Sequence, residues 1–336
     1  MALTSYLDQL VGGRDLSMDG AYGLMEALAG GGQSPEQVAG VLVAMQTKGV
    51  CAQELAGMAL YLRRTAVPLS HSFPDLVDTC GTGGGPPTFN LSTGAAIVAA
   101  SAGARVAKHG NRSVTSKCGS ADVLEELGVS LHTEPERLER LLGLLGIVFL
   151  FAPHHHGALK SVGPVRRALG VRTVFNLLGP LANPAGAQLQ VIGVYEARYV
   201  PVVAEALTLL SCKRGFVVHS FGGLDEVSPL GVTHYAEIVN GNLSEGEWHP
   251  ADFGLSDSDH VSMDPGDSIS TSADILRSAI DGSDPSRSLA LVPNSAVAIL
   301  LSGLAETVGE GAALAKSAIE TGLAEKKLNQ MIEASG

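Results

Sequence analysis

The sequence predicts an α/β protein with a small all-helical N-terminal domain and a large domain built on a mostly parallel central sheet flanked by helices. Three observations predict it. Residues 1–70 space their apolar side chains as helices do. From Leu76 onward, short apolar runs alternate with helical patterns, the order that builds a parallel sheet. The 336 residues are 45% hydrophobic, 17% charged and only 4% aromatic, which suits close-packed helices and strands and not a disordered chain.

Taken in order, Ser34-Pro-Glu-Gln37 forms a capping box with proline at the first helical position, and an apolar face follows at Val38, Val41, Leu42 and Met45. A second helix carries Leu55, Met58, Ala59 and Leu62. So small a domain is not expected to bury all of these side chains. Val41, Leu42, Met45, Leu55 and Met58 are therefore expected to meet a second copy of the chain in a homodimer. Pro68 to Pro74 reads as the linker. Strands are expected over 76–80, 104–108, 147–151, 189–195, 214–220 and 289–292, with helix-like, proline-rich pieces interrupting at 163–184. Residues 243–270 read as an acidic loop, and the chain closes with amphipathic helices, the last at about 310–334. The alternation of strands and helices therefore occupies 75–162 and 185–336.

The most informative segment runs from Asp78 to Thr93, where a strand enters the glycine-rich turn Gly81-Thr-Gly-Gly-Gly85 and leaves into a helix whose start is marked by Ser92 and Thr93. Such a turn aims backbone N–H groups and the positive end of a helix at one spot, which suits phosphate oxygens. It matches neither a dinucleotide fingerprint nor a P-loop, and taken alone it also reads as a capped surface loop. The next unit changes the balance. A second strand, Ala104–Lys108, ends in a loop containing Lys108, Asn111, Arg112 and Lys117, and the helix Ala121–Leu127 follows, closed by Gly128. Two successive strand–loop–helix units put their polar loops at one end of a parallel sheet, where open α/β sheets bind ligands. Together they describe a site for a multiply phosphorylated small molecule.

Charge supports this. The net charge of −12 argues against a nucleic-acid surface, yet eight of the 22 Lys and Arg residues fall in 26 positions, 105–117 and 160–172, as a local anion pocket requires. No apolar stretch is long enough for a membrane span, and the N-terminus lacks the pattern of a secretory signal. Cys51, Cys80, Cys118 and Cys212 are scattered, so a cytoplasmic protein with reduced thiols is expected. Asp225-Glu226 follows an apolar strand and a Gly222-Gly223 turn. Adjacent carboxylates facing a phosphate loop suit Mg2+, although alone they also read as a solvated acidic turn. His154-His155-His156 does not read as a zinc site, because three consecutive residues cannot converge on one ion. His109 sits in the cationic loop, where a positional role is favoured over acid–base work.

Six ordered blocks closely resemble the signature of the anthranilate phosphoribosyltransferases, within the wider nucleoside phosphorylase and phosphoribosyltransferase family. They are Gly81-Thr-Gly-Gly84, Asn90-Leu-Ser-Thr93, Lys108-His-Gly-Asn-Arg112, Pro164-Val-Arg-Arg167, Arg172-Thr-Val-Phe-Asn-Leu-Leu-Gly-Pro-Leu-Ala-Asn-Pro184 and Gly223-Leu-Asp-Glu-Val-Ser228. The resemblance spans essentially the whole chain. It implies Mg2+-dependent transfer of a phosphoribosyl group from 5-phosphoribosyl 1-diphosphate to anthranilate in tryptophan biosynthesis. It further implies that Gly81, Gly84, Gly85, Thr88, Asn90, Ser92, Thr93, Lys108, Ser116 and Ser120 hold the donor. Gly81, Asn111 and Arg166 would hold anthranilate, and Ser92, Asp225 and Glu226 the metal. His156 matches a position often occupied by histidine, association by the helical domain is expected, and residues 163–184 are expected to pack back onto that domain. The chain departs from the pattern at Gly85, where many relatives carry an acid, and two prolines stiffen the loop beyond it. A pyrimidine-nucleoside phosphorylase would show a Lys-His-Ser-Thr-Gly-Gly motif instead, and a non-catalytic nucleic-acid-binding relative would lose the Asp-Glu pair and gain a basic face.

Overall fold

The computed structural model describes residues 2–113, 117–157, 161–256 and 258–335. Four helices lead, α1 Leu3–Val11, α2 Met18–Ala29, α3 Pro35–Lys48 and α4 Ala52–Thr65. Ser34 and Gln37 cap α3 reciprocally, as the sequence predicts. Helices α2 and α4 cross so closely that a Cβ on Gly57 would lie 2.1 Å from the Met18 carbonyl oxygen. Glu54 is fully buried, with one oxygen accepting the Leu16 N–H (3.0 Å) and the other the Cys51 N–H (3.1 Å) and the Lys48 ammonium (3.0 Å).

The sheet follows in the order β3-β2-β1-β4-β5-β6-β7. Its strands are β1 Val77–Asp78, β2 Val106–Gly110, β3 Ile147–Phe151, β4 Leu189–Gly193, β5 Arg214–Ser220, β6 Thr233–Val239 and β7 Asn242–Trp248. The first five in that order are mutually parallel, and β5, β6 and β7 are antiparallel. The helices α5 Leu91–Ser101, α6 Ser120–Glu126, α7 Pro135–Leu145, α8 Ala152–His155, α9 Gly163–Leu169, α10 Phe175–Leu178 and α11 Tyr199–Leu209 are interleaved with the strands. The chain then closes through α12 Ile269–Asp281, α13 Pro285–Leu301, α14 Val308–Glu320 and α15 Leu323–Glu333.

Strand alternation divides the core. Phe216 and Val218 of β5 join one cluster with α5 and α12–α15, while Val217 between them joins the other, built from α1–α4, α11 and residues 174–182. Val41, Leu42, Met45, Leu55 and Met58 all belong to that second cluster and are fully buried. The expectation that they meet a second copy is therefore corrected. Within the same chain, α11 and the 174–182 segment pack on α4, and α1 and α9 pack on α3.

Three element assignments also change. Residues 289–292 lie inside α13, which is capped by Asp284 with Pro285 at its first position. This helix is buried on every side from Ala290 to Leu301, so it shows no polar stripe to distinguish it from a buried strand. Residues 243–248 are β7 and not loop; Asn240 and Gly241 take positive φ (48° and 85°) and turn β6 back onto it. Glu245 and Glu247 suit an edge strand, where charge discourages further pairing. The last predicted helix is broken into α14 and α15 at Gly322, with φ 73°. No helix among the described residues is long and apolar enough to cross a membrane.

Candidate active site

Because β1, β2, β4 and β5 are parallel, the chain leaves all four at one edge, and the predicted loops meet there. After β1, the Thr82 N–H donates to the Gly193 carbonyl (2.8 Å) and Thr82 Oγ1 accepts the Tyr195 N–H (3.2 Å), which fastens the turn to the end of β4. Gly83 and Gly84 have φ of 66° and 95°, the left-handed region where glycine is favoured. A Cβ on Gly85 would lie 2.4 Å from Asp225 Oδ1, so no side chain fits there in this arrangement. Asn90 precedes the first residue of α5 without capping it through its side chain, whose Nδ2 instead donates to the Cys118 carbonyl (3.3 Å). Ser92 and Thr93 lie in the first turn, and Thr93 Oγ1 is buried with no partner among the described residues. Thr88 is half-buried between turn and helix.

Lys108 is buried. Its ammonium donates to the Thr79 carbonyl (2.9 Å), Thr79 Oγ1 (3.2 Å) and Ser92 Oγ (3.2 Å), which joins the ends of β1 and β2 to the start of α5. A small cleft beside it is lined by Thr79, Gly81, Ser92, Gly193, Glu226 and Asn294. Burial pushes the carboxyl of Asp225 above its ordinary range, opposed by backbone N–H groups of Asp225 itself, Gly85 and Gly83 and by the charge of Arg172. Burial raises Glu226 as well, and the neighbouring Asp225 adds to it; Lys108 and the Ser92 N–H oppose. Two carboxylates that resist ionisation together, beside a serine hydroxyl, form a hard-oxygen set that a divalent cation would complete. Asp15, Cys51 and Glu54 also cluster, but the Lys48 ammonium already bridges both carboxylates, 2.5 Å from Asp15 and 3.0 Å from Glu54.

His109 is buried, and its N–H donates to Asp78 Oδ1 (3.1 Å). Its Nδ1 lies 3.1 Å from the Gly179 carbonyl; since a carbonyl only accepts, Nδ1 carries the proton and Nε2 keeps an unshared pair with no partner among the described residues. The ring stands edge-on to His156, with centroids 5.2 Å apart. Burial, helped by His156, lowers His109 to about 3, and burial with His155 lowers His156 to about 4. Both are neutral. His155 turns elsewhere, its Nδ1 2.7 Å from the Val67 carbonyl, and His154 is exposed, so the three do not converge.

Arg112 does not offer a free cation to the pocket. It pairs with Asp122 (3.0 Å) and Glu125 (2.7 Å). Asn111 is exposed at the mouth of the same loop, its carbonyl accepting from the Ser120 hydroxyl (3.2 Å). Ser116 lies outside the described residues. Arg166 on α9 is half-buried, has no ion pair among the described residues and sits 5.2 Å over the Phe175 ring; Arg167 is exposed. Burial lowers the proton affinity of Arg166, as expected of a cation without a counter-ion.

Sequence reasoning missed two supports. Asn294 of α13 grips Val227 next to the carboxylates, accepting its N–H and donating to its carbonyl, both at 2.9 Å. An amide inside an apolar helical run was the available signal. Asn183 joins Asp78 (2.7 Å) to the Ala107 carbonyl (2.8 Å), across a separation no local pattern reveals.

Comparison with known proteins agrees with this geometry. Residues 4–66 match the helical bundle domain of a glycosyl transferase family and residues 73–325 its a/b domain. The chain is 44% identical over 331 residues to an anthranilate phosphoribosyltransferase of Pelotomaculum thermopropionicum, covering 98% of this chain and 96% of the relative. Among solved structures, the anthranilate phosphoribosyltransferase of Thermus thermophilus superimposes with a TM-score of 0.91 at 38% identity, covering 98% and 99% of the two chains. The Saccharomyces cerevisiae enzyme in complex with PRPP and Mg superimposes with a TM-score of 0.88 at 27% identity, covering 99% and 97%.

The two neutral histidines make stability depend on pH. Unfolded, each returns to the ordinary value of 6.5, so below that pH the unfolded chain binds more protons. The contribution is whole above pH 6.5 and is lost as the pH falls toward about 4 for His156 and about 3 for His109. At about 1.4 kcal/mol per unit, His156→Gln should remove about 2 kcal/mol of the loss between pH 6.5 and 5. Thermal unfolding should therefore show a midpoint that falls less steeply in the variant; parallel curves would refute the assignment.

Proposed function

The chain belongs to the anthranilate phosphoribosyltransferase family, and on that footing we propose that it transfers the phosphoribosyl group of 5-phosphoribosyl 1-diphosphate to the amine of anthranilate. The products are N-(5-phosphoribosyl)anthranilate and pyrophosphate, a step of tryptophan biosynthesis. The observation that carries this reading is a glycine turn lying against two adjacent, charge-stressed carboxylates at the ligand edge of a parallel sheet.

In this reading Gly81, Gly84, Gly85, Thr88, Asn90, Ser92, Thr93, Lys108, Ser116 and Ser120 hold the donor, through backbone N–H groups, hydroxyls and one ammonium. Asp225, Glu226 and Ser92 would hold Mg2+, which when bound offsets the charge of the diphosphate. Anthranilate is held by Arg166 at its carboxylate and by Asn111 and the Gly81 backbone. The rate comes from holding the amine and the anomeric carbon in line and from stabilising the departing pyrophosphate. His109 has a proton on Nδ1 and a poor base at Nε2, so it orients the acceptor and takes no part in proton transfer. The setting is cytoplasmic and the assembly a homodimer. The exposed apolar residues Val11 and Val43, on the paired helices α1 and α3, offer a surface that the buried residues cannot.

Replacing Asp225 and Glu226 by Asn and Gln should lower turnover at least about a hundredfold and abolish its dependence on Mg2+. Undiminished decay of anthranilate fluorescence in the double variant would exclude the metal role. Arg166→Ala should weaken apparent anthranilate binding by about 1.5–3 kcal/mol while leaving the donor KM in place; the same effect from Arg167→Ala would reassign the carboxylate partner. Light scattering at micromolar concentration should return twice the chain mass, and a monomer's mass would exclude the dimer.

A further inference from the structure

Arg172 is exposed, so core packing does not call for an arginine there, and no carboxylate among the described residues pairs with it. Its guanidinium lies 4.3 Å from the centroid of the Tyr195 ring, and its Nη2 donates to the Gly84 carbonyl. Both partners are constrained. The Tyr195 N–H donates to Thr82 (3.2 Å), and the Tyr195 ring stands edge-on to Tyr199 at 5.2 Å. Gly84 has φ 95°, and a Cβ there would approach the guanidinium to 3.2 Å. The glycine turn is thus fastened at two points, by Thr82 at its base and by Arg172 at its tip. On either side of the gripped carbonyl, the N–H groups of Gly83 and Gly85 favour the charged form of Asp225, and the charge of Arg172 acts in the same sense.

We propose that Arg172 is a positioning residue for the phosphoribosyl donor: seated on Tyr195, its guanidinium fixes the Gly84 carbonyl and so aims the flanking amides of the glycine turn at the donor and metal edge. The proposal rests on the reading of that edge as the donor site. Arg172 stands six residues beyond Arg166 on the same segment, so one stretch of chain serves both substrates: Arg166 meets the acceptor and Arg172 holds the turn that meets the donor. A planar guanidinium can stack and donate at once; an ammonium of equal charge cannot stack.

The full-length chain is compared with Arg172→Ala and Arg172→Lys by calorimetric titration of 5-phosphoribosyl 1-diphosphate with Mg2+, without anthranilate, and by steady-state kinetics. Arg172→Ala should raise the donor Kd and donor KM about tenfold, and leave the anthranilate KM and thermal midpoint unchanged. Arg172→Lys should recover little of the loss. Full recovery by lysine would show a point charge at work and overturn the proposal, as would an unchanged donor Kd in Arg172→Ala or a lowered midpoint that accounts for the loss. A wild-type chain that binds no donor would overturn the functional reading itself, which the titration separates from a failure of Arg172 alone.

Discussion

The buried carboxylate of Asp78 is the tie on which the ligand edge depends. One oxygen accepts the His109 N–H at 3.1 Å and the other the Asn183 amide at 2.7 Å, while Asn183 also donates to the Ala107 carbonyl and accepts the Ala185 N–H. Three pieces of chain distant in sequence are thereby held in register, although β1 itself is only two residues long. Burial raises Asp78 to about 6, opposed first by the charge of Lys108 and then by the hydrogen bonds it accepts. Removing such a carboxylate would leave several buried donors without partners, which costs more than the bonds contribute net.

Around that tie the charges are arranged by sign. Lys108 opposes the rise of Glu226, and backbone N–H groups, with a smaller contribution from the charge of Arg172, oppose that of Asp225, yet both carboxylates remain above their ordinary range. That residual stress is what a divalent cation would relieve. The segment 163–184 brings the remaining parts to the edge. It supplies Arg166, Arg172, the Gly179 carbonyl that orients His109 and the amide that binds Asp78; its α9 packs on α3 and its residues 174–182 pack on α4. The helical domain is therefore packed by the same stretch that reaches the site, and the two cannot be placed independently.

The corrections share one cause. Leu55 and Met58 announce an apolar face in the sequence, but the surface that covers their helix depends on α11, more than 140 residues away. Arg112 belongs by composition to an anion pocket, but Asp122 and Glu125, on the first turns of α6, stand within reach and take it. Leu289–Val292 has the local character of a strand and becomes helix because every side of α13 meets apolar partners.

What the sequence by itself determined was whatever near neighbours decide. The Ser34 capping box, the glycines able to take positive φ, the strand–loop–helix order that sends the loops after β1 and β2 to one edge, and the six motif blocks with their implied chemistry were all legible. Tertiary structure alone decided which of those groups are engaged and by what. It buried Lys108 under Thr79 and Ser92, gave His109 a proton on Nδ1 by setting it against Gly179, closed Gly85 onto Asp225 and brought Arg172 to Gly84. The physical reason is range. Backbone conformation and periodicity are fixed over a few residues, whereas a hydrogen bond or a desolvated charge depends on partners that the fold delivers from 70 or 88 positions away.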